Sequence, residues 1–135
     1  MRYFIVLISI FVFSCSSPKS ELVRSLNGTD SLVINFNQPG TDNIEHTMST
    51  TEQKAINEIS GFLNGQKKAS GKCALDGDLQ FYQKGTLIGN IVFSYSVDSC
   101  RQFYVVEKDG SFNSIPMSNK AKDLLNSLQQ GKGWY

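Results

Sequence analysis

From Leu75 to Ile115 the chain alternates short apolar runs with turn residues, a pattern that commits this stretch to antiparallel strands. Leu75 precedes Asp76-Gly77, which reads as a two-residue hairpin turn. Leu79 and Phe81 then alternate with Gln80 and Tyr82 until Lys84-Gly85 turns the chain. Leu87 to Ser96 is the longest strand-type run, with Leu87, Ile91, Phe93 and Tyr95 on one face and Ile88 and Val92 on the other. Gly89 and Asn90 interrupt it where a bulge is expected. Val97-Asp98-Ser99 makes the next turn, and Phe103 to Val106 reads as another strand. Asp109-Gly110 closes a hairpin onto Phe112 to Ile115, which Pro116 stops.

The flanks add one strand and two helices. Leu32, Ile34 and Phe36 alternate with Val33, Asn35 and Asn37, a strand ended by Gln38-Pro39-Gly40. Residues 41–50 read as a polar loop, with Ser49 and Glu52, or Thr50 and Gln53, spaced as a capping box. Ala55, Ile56, Ile59, Phe62 and Leu63 follow at helical spacing, with Gly65 as the expected stop. In the second helix Ser118 is the expected cap, Ala121, Leu124, Leu125 and Leu128 form the stripe, and Gly131 ends it. The expectation is an α+β domain over residues 31–135: a curled antiparallel sheet of about five strands with two helices packed on one face.

Ahead of this domain, Arg2 introduces an eleven-residue apolar run, Tyr3 to Phe13, broken only by Ser9. The run is far short of the roughly 20 residues that cross a bilayer as a helix. It leads through Val12-Phe13-Ser14 into Cys15 and then into Ser16-Ser17-Pro18-Lys19-Ser20, which is linker composition. The segment resembles the signals of bacterial lipoproteins, which carry a small residue before the cysteine, as Ser14 is, and a branched aliphatic residue three before it, as Val12 is. Phe13 departs from the usual small residue. The resemblance covers about the first sixteen residues. It implies that residues 1–14 are a signal peptide and that Cys15 becomes the lipidated first residue of the mature chain. It also implies a membrane-anchored protein of the cell envelope. Ser16 is not the aspartate of some inner-membrane lipoproteins, and no acidic run follows Cys15, so an outer-membrane protein facing the periplasm is expected. Residues 15–30 are polar and read as a lipidated tether, whose flexible reach is roughly 20 Å.

Loss of residues 1–14 removes Arg2, taking the Lys and Arg count from 13 to 12 against 12 Asp and Glu. A neutral chain lacks the basic footprint of nucleic-acid binding, and Lys67-Lys68 with Lys72 is its only basic knot. Two cysteines remain, Cys73 and Cys100. In an oxidising compartment such a pair is expected to form a structural disulfide, free thiols being the alternative.

Few residues suggest reaction chemistry. His46 is the only histidine, and no Gly-x-Ser-x-Gly elbow accompanies it. His46 and Met48 are soft ligands, but two donors are too few for a copper site. Asp76 and Asp78 lack the further oxygen ligands of a calcium loop. No catalytic role, metal or cofactor is therefore expected. Asp30-Ser31-Leu32 resembles a short O-glycosylation motif of exported bacterial proteins, making Ser31 a candidate acceptor. Aromatic residues fall on both faces of the expected sheet, and Tyr82, Tyr95, Tyr104, Trp134 and Tyr135 are candidate interface residues. The reading is a non-catalytic protein-binding, accessory or inhibitor module with a protein partner in the envelope. The alternative is a carrier of a small apolar ligand, a lipid or tetrapyrrole, in the hollow of the sheet.

Overall fold

The computed structural model describes residues 20–69, 73–107 and 109–134. The expected signal peptide, Cys15 and Tyr135 lie outside the described residues. The fold is α+β, as the pattern of runs implies, but the described residues hold seven strands and three helices rather than about five strands and two helices. The strands are β1 (Ser31–Asn37), β2 (Ile44–Thr50), β3 (Lys68–Ala69), β4 (Gly77–Gln83), β5 (Thr86–Ser94), β6 (Gln102–Val106) and β7 (Phe112–Pro116). They form one antiparallel sheet in the order β2-β1-β4-β5-β6-β7-β3. The helices are α1 (Glu21–Ser25), α2 (Gln53–Phe62) and α3 (Asn119–Gln129).

The core lies on one face of the sheet. Leu32, Ile34 and Phe36 of β1, Leu79 and Phe81 of β4, and Ile91 and Phe93 of β5 are buried there. They pack with Ala55, Ile56 and Ile59 of α2 and Ala121, Leu125 and Leu128 of α3. Both apolar stripes read from the sequence therefore face this core. The Ser118 hydroxyl accepts from the Ala121 amide at 3.1 Å, and Gly131 closes α3 with a φ of 75°. Neither expected capping box forms at α2. Ser49 and Thr50 belong to β2, and the helix is capped by Glu52 without a side-chain bond.

Strand β2 corrects the expected loop at 41–50. Its sequence carries no apolar alternation because it is an edge strand, held by its ladder to β1 from Leu32↔Thr50 to Phe36↔His46. Strand β3 is only two residues long and gives no periodic signal.

Residues 21–30, expected as part of a tether, belong to the folded domain. The Ser20 hydroxyl caps α1 by accepting from the Val23 amide at 3.3 Å, and Leu26 just beyond α1 is buried in the core. Leu26 occupies the space left by Gly89, where a Cβ would come within 2.4 Å of its Cδ2. A five-residue helix is marginal by itself, so this burial is what holds it.

Two further expectations fail through backbone geometry. Pairing of β4 with β5 slips from Phe81↔Gly89 to Tyr82↔Leu87, leaving Ile88 as the extra residue of a bulge. Leu87 is thereby turned outward, 47 % exposed, instead of sharing a face with Ile91. Asp76-Gly77 is not a hairpin turn. Gly77 opens β4 between β1 and β5, opposite Phe36 and Phe93, where a Cβ would meet the Asn35 carbonyl oxygen at 2.1 Å. Close approach of two backbones, and not a turn, requires glycine there. Lys84-Gly85 does form the tight turn, with both φ values positive, at 49° and 78°.

Cys73, ahead of β4, donates its amide to the hydroxyl of Tyr104 at 3.2 Å, and Tyr104 is fully buried on the sheet face opposite the helices. The expected disulfide is present, joining Cys73 to Cys100 in the 3₁₀ turn Asp98–Cys100. No helix among the described residues is long and apolar enough to cross a membrane.

Candidate functional site

The antiparallel order sorts the connections into two poles. At one pole lie α1, the β4–β5 turn and the β6–β7 hairpin tip. At the other lie the β1–β2 turn, the entry to β4, the β5–β6 connection and the start of α3. An open cleft of about 480 Å³ occupies this second pole. Pro39 and Gly40 form one wall from the β1–β2 turn, Leu75 and Asp76 form the floor beside Tyr95 and Ser96, and α3 forms the facing wall. Lys122, Asn126 and Gln129 line that wall because spacings of four and three bring them to one helix face. Each stands one position after a member of the buried stripe Ala121, Leu125 and Leu128.

Asp76 organises the cleft. Its Oδ2 accepts from the Tyr95 amide at 2.6 Å and the Ser96 amide at 2.9 Å, while Oδ1 accepts from the Ser96 hydroxyl at 2.8 Å. These charge-assisted bonds fix the end of β5 against the entry to β4. The Tyr95 hydroxyl donates to Oε1 of Gln129, tying the sheet to α3. Tyr95 is only 5 % exposed, and burial, with the neighbouring Asp76 charge as a smaller contribution, pushes its phenol up to about 12. Lys122 lies 3.3 Å from Asp98 at the outer rim. The cleft thus offers amide, hydroxyl and ammonium groups for hydrogen bonding, with its carboxylate engaged and its phenol protonated near neutrality.

The candidate interface aromatics do not share one surface. Tyr95 lies on the core side and touches the cleft. Tyr104 is buried on the opposite side of the sheet, accepting from Gln102 Nε2 at 2.7 Å as well as from Cys73. Tyr82 is half-buried and donates to Gln80 Oε1 at 2.8 Å. Trp134 packs back on the core. Ser31 begins β1 opposite Tyr82; its neighbour Asp30 accepts from the Lys84 amide at 2.7 Å, and Leu32 is buried. The glycosylation motif is therefore folded into the domain at the β1 start.

His46 stands on β2, not in a loop, and stacks on Phe36 with ring centroids 6.1 Å apart. Its Nε2 is buried with no partner among the described residues. Met48, two residues on, shares that side of the strand and packs partly on the core. No cluster of three or more His, Cys, Asp or Glu suited to a metal occurs among the described residues. On the face opposite the helices, Asn35 links its two neighbours, accepting from Thr47 Oγ1 at 2.9 Å and donating to Asp78 Oδ1 at 3.1 Å. Asp78 is thus part of a cross-strand polar row.

Sequence reasoning missed Asn37, Lys122, Asn126 and Gln129. The signal for the last three was the polar periodicity shadowing the leucine stripe. Asn37 gave none. Comparison with protein-family models, characterised proteins and solved structures finds no match to this chain.

Proposed function

We propose that this chain is a lipid-anchored, non-catalytic binding module of the bacterial cell envelope, which engages a protein partner at its cleft pole. The observation that carries the reading is the cleft's position. It opens at the end of the sheet opposite α1, where the chain leaves toward Cys15. A module anchored through Cys15 would present this cleft away from the leaflet. Polar groups converging on a concavity of this size are what a specific site provides. Val97, which follows the cleft residue Ser96, is 52 % exposed and offers apolar contact beside it. The Cys73–Cys100 disulfide supports an oxidising compartment. A carrier of an apolar ligand in the hollow of the sheet has less support, because the helix-bearing face of the sheet is filled with core side chains.

Envelope membranes from cells making the full chain, cross-linked and solubilised in detergent, test this. A stoichiometric protein partner is expected, lost on K122E/N126A. A partner retained by that variant would move the site elsewhere, and bound small molecule without a partner would favour carriage. C15S is expected to shift the domain to the soluble fraction.

A further inference from the structure

We infer that the pole opposite the cleft is a membrane-contact surface, in which the β4–β5 and β6–β7 hairpin tips rest on the headgroups of the leaflet holding the anchor. This inference rests on lipidation of Cys15. Only residues 16–19 separate Cys15 from Ser20, the residue that caps α1. Five peptide steps span at most about 18 Å fully extended, and a flexible chain of that length reaches about 12 Å on average. The headgroup layer of one leaflet is itself roughly 5–8 Å thick. An anchor this short leaves the domain no room to stand clear of the surface.

The folded contacts decide which part is held there. The Ser20 amide donates to Asn64 Oδ1 at 2.6 Å, fixing the start of α1 beside the end of α2. Glu21 and Leu22 then share a shallow depression with Lys67, Val105 and Glu107. Residue 107 begins the β6–β7 turn, so the anchor enters next to that hairpin tip. On this pole Val106 is 55 % exposed and Leu87 47 % exposed, one at each hairpin, with Lys68 and Lys84 exposed nearby. Apolar tips flanked by lysines suit a headgroup layer, where the stems lie along apolar surface and the ammonium groups meet phosphates. The acidic groups of the hairpin are largely engaged. Glu107 is bonded to Lys67 at 2.6 Å, and Asp109 accepts from the Ser111 amide and hydroxyl within its own turn.

A tryptophan reporter tests the orientation. In a W134F background, the full-length lipidated V106W and I44W proteins are reconstituted into phosphatidylethanolamine/phosphatidylglycerol vesicles containing lipid brominated near the headgroup. Ile44 lies at the cleft pole and is 57 % exposed, so it serves as the distal control. The expected result is a several-fold greater loss of fluorescence for V106W than for I44W, abolished when C15S is added to V106W. Equal quenching of the two reporters on acylated protein would overturn the orientation while leaving the anchor intact. Mass spectrometry of the amino-terminal peptide separates the two failures, since an unacylated Cys15 would end the anchoring and the contact surface together.

Discussion

The two poles of the sheet are closed in different ways. At the α1 pole the β4–β5 turn takes its shape from backbone chirality, with Lys84 and Gly85 both at positive φ, and the Lys84 amide is tied to Asp30. At the cleft pole long connections are held by side chains: Asp76 on Tyr95 and Ser96, Tyr95 on Gln129, and Cys73 on Cys100. Local turns form from adjacent residues and are insensitive to distant changes. Connections held by side chains far apart in sequence depend on the whole fold being in place. The connections at the cleft pole should therefore be more sensitive to distant changes than the β4–β5 turn itself.

Reduction of the disulfide is the largest expected perturbation. A closed loop with a separation of 27 residues gives about 3.5 kcal/mol in the chain-entropy model. C73S/C100S should lose that stability in urea titration, and an unchanged midpoint would remove the disulfide from the account. The counterpart at the other pole is L26A. Deleting a fully buried leucine side chain costs about 3 kcal/mol, so its urea midpoint should fall similarly. A negligible loss would return residues 21–30 to the status of a tether.

D76A strips three bonds from the end of β5 and should cost about 2 kcal/mol, with hydrogen-exchange protection lost at Tyr95 and Ser96 and retained around Lys84. Uniform loss of protection across the sheet would contradict the independence of the poles. Tyr95 supplies a pH test. Unfolded tyrosine ionises near pH 10, while the folded phenol keeps its proton to about 12. The folded state thus binds more protons across that window, so this stabilisation is complete below about pH 10 and disappears as pH rises toward 12. Y95F should flatten that alkaline decline. The smallest effect is expected at Ser94, whose buried hydroxyl has no partner among the described residues. S94A should be neutral or stabilising by under about 1 kcal/mol, and a clear destabilisation would reveal a hidden bond.

Much of the core was legible because its residues repeat. The alternation at Leu32, Ile34 and Phe36 and the stripe at Ala121, Leu125 and Leu128 are periodic, and both lead to buried faces. Strand β2 was not legible, because an edge strand with one half-covered face has no need of an apolar pattern. Asp76-Gly77 misled because the same dipeptide suits a hairpin turn and a crowded strand entry, and only the proximity of Asn35 and Phe93 distinguishes them. The cleft was nearly invisible, since its walls come from segments spread between Asn37 and Gln129.

By itself the sequence determined the α+β class, the helix stripes and the Lys84-Gly85 turn, since each depends on local period or turn chemistry. Tertiary structure alone decided the strand order, the outward turn of Leu87 at the β5 bulge, the recruitment of Leu26 into the core and the convergence of Asp76, Tyr95 and Gln129. These depend on which distant backbones come close enough to exclude a side chain or share a hydrogen bond, and no local pattern encodes that distance.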